Sequence, residues 1–372
     1  MNNNIFGLSF SIVFGAASAF CLGTLPANAN LLISNTTGNN VVLFDKQNGQ
    51  FLKDFITSGS GGLISPDDLN FGQDGNLYVS SGNNPSNSAI LRYDGKTGKF
   101  IDVFASGGGL SRPYGATFGP DGFLYVSSFL TDQILRYNGT TGQFIDVFAA
   151  GNGLSGGLNG PNDLLFAPDG SLYVTTQGSI AVDNEATFPG LPSQVLRFDL
   201  ATKTSTVFID QPTPSPDSFG FVSFLGLALG PDGNLFVSDF ANDIRHYNLQ
   251  TGELINILST NYTGTVPSNN FIGNLAFGAN NTLYTVGFDF TQNNKGAILR
   301  YNGATGAPFP SQGNSNAIFV PTTDKLSRPI GIAFVDQNLA PVPEASTSIG
   351  LLSLGVLFSI SWLKREQVKR NT

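Results

Sequence analysis

Two stretches of the chain read almost as one: "QDGNLYVSSGNNPSNSAILRYDGKTGKFIDVF" from Gln73 to Phe104, and "PDGFLYVSSFLTDQILRYNGTTGQFIDVF" from Pro120 to Phe148. A chain that repeats itself at this spacing is a repeat architecture before it is anything else. The "LYVS" element recurs as Leu31–Ser34, Leu77–Ser80, Leu124–Ser127, Leu172–Thr175, Leu235–Ser238 and Leu283–Val286. The "ILRY" element recurs as Val41–Phe44, Ile90–Tyr93, Ile134–Tyr137, Val195–Phe198, Ile244–Tyr247 and Ile298–Tyr301. Another strand follows each of these, for example Phe100–Phe104, Phe144–Phe148 and Ile318–Val320. A first strand precedes each unit's turn: Asp68–Phe71, Gly115–Phe118, Asp163–Phe166, Gly226–Leu229, Asn274–Phe277 and Gly331–Phe334. Each unit is therefore four short strands in about 47 residues, and there are six units.

The turns carry their own chemistry. Asp74-Gly75, Asp121-Gly122, Asp169-Gly170 and Asp232-Gly233 supply the positive φ that tight hairpins require, and Thr141-Gly142 and Thr251-Gly252 do the same later in the unit. Strands such as "FLYV" are apolar on both faces, which argues for sheets covered on both sides. Sheets packed face to face around an axis meet that condition. Leu31 opens the repeats on a second strand, and "PIGIAFV", Pro329 to Val335, closes them on a first strand. The expectation is an all-β, six-bladed β-propeller over residues 30–336. Three strands from one end and one from the other would complete a blade, leaving no open sheet edge. A single body of this size buries about 75% of its unfolded surface and needs no disulfide.

Composition limits the function. The chain has 372 residues, 12% of them charged, 45 glycines and a net charge of −8, with a pI near 4.6. An acidic body repels phosphate backbones, so nucleic acid is not an expected partner. The single cysteine, Cys21, lies in a segment expected to be removed, which excludes disulfides and Cys-based zinc sites from the mature chain.

Both ends read as addresses. An apolar stretch from Ile5 to Leu22 leads to Pro26, Ala27, Asn28 and Ala29, an A-x-A pattern that predicts a signal peptide over residues 1–29. Near the other end, "VPEA" lies in a linker over 337–345, followed by an apolar run from Ser346 to Leu363 and a basic tail, 364–372, with Lys364, Arg365, Lys369 and Arg370. The run predicts a transmembrane helix, and the basic tail keeps that end in the cytoplasm. The three-part layout resembles a PEP-CTERM sorting signal, with Ala345 where a second proline is usual. That resemblance implies processing by an exosortase-type protease and a final place at the bacterial cell surface or outside the cell.

In a propeller, the loops from fourth to first strand and from second to third strand share one face. Here those are the long ones: Ile56–Pro66, Ala149–Pro161 and Ser259–Phe271, with insertions at Gln177–Gln194 and Asp210–Phe221. Concentrated loop length marks the face expected to bind. Arg112 and Arg328, each in "LSRP", lie in that face and are candidates to meet a carboxylate. The residues opening the innermost strands read Asp68, Gly115, Asp163, Gly226, Asn274, Gly331 around the ring. Oxygen-bearing side chains thus alternate with glycine, which would leave room for a cation. Asp68, Asp163 and Asn274 are candidate ligands for Ca²⁺ or another divalent cation, or they satisfy inner-strand backbone groups. His246, the only histidine, is expected at the surface of a third strand, which disfavours a Ser-His-Asp triad. Arg92, Arg136, Arg197, Arg245 and Arg300 recur at one position and are expected to tie blades together.

The pattern in "RPYGATFGPDGFLYV", Arg112 to Val126, resembles the NHL-repeat and SMP-30/gluconolactonase-like propellers. That resemblance implies a divalent metal in the channel of the lactonases. "GPND", Gly160 to Asp163, is similar to their Asn-bearing segment, which nominates Asn162 or Asp163; no glutamate stands near Leu31 to complete the set. Asp239 and Asn242, in "SDFAND", look like the polar pair of an NHL repeat. Two functions follow as expectations. The first is an exported binding or scaffold module for a glycan, matrix polymer or protein. The alternative is a metal-dependent lactonase or lyase.

Overall fold

The computed structural model describes residues 29–241 and 243–336. The segments expected to be the signal peptide (apart from Ala29), the linker, the membrane helix and the basic tail, and also Asn242, lie outside the described residues. Among the described residues no helix is long and apolar enough to cross a membrane.

Six four-stranded antiparallel sheets form the six blades of a propeller, and a separate two-stranded hairpin, Ile180–Val182 with Glu185–Thr187, stands in the first long insertion. Blade 3 shows the pattern: Pro113–Phe118 innermost, then Phe123–Ser128, Gln133–Asn138 and Phe144–Ala150 at the rim. Blade 1 takes Ala29–Asn35, Asn40–Phe44 and Phe51–Ile56 from one part of the chain and Pro329–Asp336 from the other. In it Leu31 faces Phe334 and Leu32 faces Ala333.

The core lies between the blades. The tyrosine of "LYVS" is pinned edge-on between two phenylalanines, one from its own blade and one from the next. Tyr78 meets Phe104 and Phe118 at 4.9 Å each, and Tyr125 meets Phe148 at 5.1 Å and Phe166 at 5.2 Å. Tyr284 repeats the contact with Phe319 and with Phe334 of blade 1. T-shaped pairs of this kind add about 0.5–1.5 kcal/mol each beyond the area they bury.

The last residue of "LYVS" does a second job. The inner strands are bulged: register slips between Pro113 and Ala116, Pro161 and Leu164, and Phe224 and Leu227. A bulge frees the amide of the residue inside it. Gly115 N donates to Ser127 Oγ at 2.8 Å, Asp163 N to Thr175 Oγ1 at 2.9 Å, Gly226 N to Ser238 Oγ at 2.8 Å and Gly331 N to Ser34 Oγ at 2.7 Å. In these four blades the Ser or Thr satisfies that amide.

Two expectations about side chains are corrected here. His246 is buried rather than on the surface. It stacks on Phe236 at 3.9 Å, and its Nε2 lies 3.0 Å from Asp232 Oδ2. The recurrent arginines bond mainly within their own blades, not between them. Arg92 makes a two-point pair with Asp102 on the neighbouring strand, Arg136 does so with Asp146, and Arg300 Nε donates to Phe309 O at 2.8 Å.

Candidate functional site

The channel ring and the channel mouth hold the two sets of residues nominated from sequence. The ring brings Asp68, Asp163 and Asn274 toward one another: the Asn274 amide bonds Asp68, and Asp68 repels Asp163. The carboxylates also reach across blades to backbone. Asp68 accepts from Leu69 N at 2.9 Å and from Ala116 N of blade 3 at 3.0 Å. Asp163 accepts from Leu164 N at 2.8 Å and from Leu227 N of blade 5 at 2.7 Å. A cation would share these four oxygens with four backbone amides. Burial pushes the Asp68 carboxyl up to about 6 and raises Asp163 well above the ordinary carboxylate range, with Asp68 adding to the second shift. Among the described residues no group of three His, Cys, Asp or Glu side chains is arranged to hold a metal.

The alternating glycines also have a steric reason. A Cβ on Gly115 would stand 2.6 Å from Asn162 O and 2.8 Å from Asp163 Cα. One on Gly226 would stand 2.9 Å from Asn274 Cα. Glycine lets each inner strand lie against the polar residue of the next blade.

The mouth is different. A cavity of about 590 Å³ opens on the long-loop face, and Arg112, Arg328 and Asn162 all line it. The two insertions supply much of its wall, through Gln177, Phe188, Leu191, Gln211 and Phe221. Both insertions are fastened down. Asp132 accepts from Gly160 N at 2.8 Å and from Ala181 N at 2.7 Å. Gln211 Oε1 accepts from Ser193 N at 2.8 Å, and Ser215 bonds the buried Asp243.

The arginines are aimed by their backbone. In "LSRP" the residue before proline is left-handed: Arg112 has φ 51° and Arg328 has φ 49°. Non-glycine residues adopt this region only when neighbours hold them there. Arg112 N donates to Ser88 Oγ at 2.8 Å and its carbonyl accepts from Phe129 N at 3.2 Å. Arg328 N donates to Asn294 O at 2.8 Å and its carbonyl accepts from Thr36 N at 3.2 Å. Arg112 Nε donates to Tyr114 Oη at 2.7 Å, and the Arg328 guanidinium lies 5.7 Å from the Phe288 ring.

Sequence reasoning missed Asp67, which lies beside Asp68 but lines the cavity. It is 5% exposed, and burial pushes its carboxyl up to about 7 against the pull of Arg112, with Asp68 pushing further and Arg328 opposing. Asn162 is 2% exposed, and its Nδ2 has no hydrogen-bond partner. Buried polar atoms are nearly always bonded, so this donor is one that the fold leaves unsatisfied. Beyond it runs an aromatic wall in which Phe271 stacks on Phe240 at 4.5 Å and meets Phe219, Phe288 and Phe290. The NHL-like pair resolves only in half: Asp239 is buried and accepts from Ser223 N at 2.8 Å and Ala241 N at 3.1 Å, a structural role.

No family model and no curated protein sequence matches the chain. Solved structures share its fold. A chain of a nidogen/laminin complex is similar at 14% identity with a TM-score of 0.57, over 84% of this chain and 100% of that one. A protein of unknown function from Bacteroides caccae follows at 12% and 0.55, over 84% and 100%. Virginiamycin B lyase from Staphylococcus aureus is similar at 16% and 0.50, over 84% and 89%. At such identities the likeness is one of fold.

Proposed function

We propose that the chain is an exported propeller that binds a ligand in the mouth cavity of its long-loop face. The observation that carries the reading is the cavity itself. It is lined by two arginines held in left-handed backbone, and much of its wall comes from the two insertions the fold does not need. A fastened, concave, largely apolar site with a few convergent polar groups is what a binding pocket requires. On this reading residues 1–29 direct export, and the "VPEA" segment, apolar run and basic tail hold the chain for an exosortase-type protease before it reaches the surface. The partner class is a surface glycan, matrix polymer or protein.

Metal-dependent lactonase or lyase chemistry is the second reading. It draws on the two acids that repel each other in the ring and on Asn274 Oδ1, which has no partner. A divalent cation would relieve both, and this reading predicts a clear rise in thermal midpoint with Ca²⁺ or Mg²⁺ over EDTA, abolished by Asp163→Ala.

The binding reading is tested on glycan arrays with the full chain. Binding lost in Phe188→Ala and Phe221→Ala but kept in Thr141→Ala, on the tight-turn face, supports it. Binding that follows the tight-turn face instead overturns it.

A further inference from the structure

We infer that the mouth cavity selects a small monoanionic acid, a carboxylate carried on an apolar, ring-bearing body. This rests on the cavity being the binding site and adds the class of ligand. Charge is the first argument. The charged residues lining the cavity are Arg112, Arg328 and Asp67, a local excess of one positive charge in a chain whose net charge is −8. A local excess of one sign concentrates counter-ions of the other. Among the described residues neither guanidinium makes a salt bridge, so each keeps donors for a ligand. Guanidinium forks match a planar carboxylate in two-point geometry.

Apolar surface is the second argument. Phe188, Phe221, Leu225, Phe240 and Ile330 line the same cavity, and Phe188 and Phe221 are 66% and 42% exposed. Single exposed apolar residues mean little, but two phenylalanines on inserted loops beside an aromatic wall form a surface for a flat ring. The cavity volume of about 590 Å³ lies within the range of small-molecule sites.

The test uses the full chain and matched probes: benzoate, phenylacetate and 2-naphthoate, each with its neutral amide, titrated by calorimetry at fixed ionic strength. The expected result is that at least one acid binds, that its amide binds tenfold or more weakly, and that Arg112→Ala and Arg328→Ala each lose tenfold or more. Arg197→Ala, at an exposed ion pair outside the cavity, leaves binding unchanged. The acid–amide comparison needs no variant, so a poorly folding substitution does not blunt it. Amides that bind as tightly as their acids, with loss in Phe221→Ala, would overturn the acid selectivity while leaving the binding cavity standing. No binding by any acid at millimolar concentration would overturn the ligand class. Acid binding unmoved by every cavity substitution would overturn both this inference and the binding reading.

Discussion

The channel ring and the channel mouth stand next to each other in sequence, as Asp68 beside Asp67 and Asp163 beside Asn162, yet their polar atoms do opposite things. In the ring, each carboxylate oxygen accepts a backbone amide, two of them from the next blade. At the mouth, among the described residues, Asn162 Nδ2 has no partner and neither arginine lies within salt-bridge distance of an acid, although both act on the Asp67 carboxylate. The ring's polarity holds the blades in register. The mouth's polarity is surplus to the fold. Asn162 and Asp163 lie inside the bulge between Pro161 and Leu164, and Asp67 and Asp68 lie just before their strand begins at Leu69, so the backbone turns adjacent side chains into different surroundings.

Substitutions should separate the two regions by size of effect. The largest belongs to Asp163→Ala, which strips the acceptor from Leu164 N and Leu227 N. Two orphaned buried amides should cost about 3–5 kcal/mol, read from urea unfolding, and Asp163→Asn, whose one side-chain oxygen can accept only one of them, should recover no more than about half. Next is Gly115→Ala, whose methyl would meet the Asn162 carbonyl at 2.6 Å. Backbone cannot swing aside, so a loss of about 1–3 kcal/mol is expected in the same assay. A loss near zero for either would break the claim that the ring is structural.

The third prediction concerns pH. Asp67, flanked by Arg112, Arg328, Asp68 and Tyr114, is raised to about 7 from an ordinary 3.8. The folded state therefore holds this proton more tightly than the unfolded state does. Stability falls as pH rises through the window from about 4 to about 7, and Asp68, raised to about 6, acts in the same direction. Between pH 5.5 and pH 8 the Asp67 share is about 2 kcal/mol, visible as a falling thermal midpoint that Asp67→Asn flattens. Affinity for an acid should move the same way, stronger at pH 6 than at pH 8, because protonating Asp67 leaves both arginines uncompensated. The smallest effect is expected at the rim. Arg136→Ala breaks a two-point pair with Asp146 that is partly exposed, and should cost under about 1 kcal/mol.

The six-blade count, the strand order within each blade and the long-loop face were legible in sequence because each has a local signal: "LYVS", "ILRY", a "DG" turn, an insertion. Arg112, Arg328 and Asn162 were legible as members of that face. What the ring residues bond to was not. Whether Asp163 serves a cation or a backbone amide depends on a bulge and on the neighbouring blade, Leu227, 64 residues away. The Ser or Thr closing "LYVS" in five of the six units was the available signal for the bulge, and in four of them it bonds the bulged amide. Asp67 was masked by Asp68, which occupies the repeat position. His246 lies in a third strand, and only the packing of Phe236 shows that its ring is covered.

The most direct measurement is the urea stability of the double variant Arg112→Ala/Arg328→Ala at pH 6, set beside Asp163→Ala. If the mouth is kept for a ligand, removing both arginines should cost less than about 1.5 kcal/mol, well below the ring substitution, because among the described residues the one side-chain hydrogen bond their guanidiniums make is that of Arg112 to Tyr114. A loss as large as that of Asp163→Ala would make the arginines part of the scaffold and contradict the division between ring and mouth.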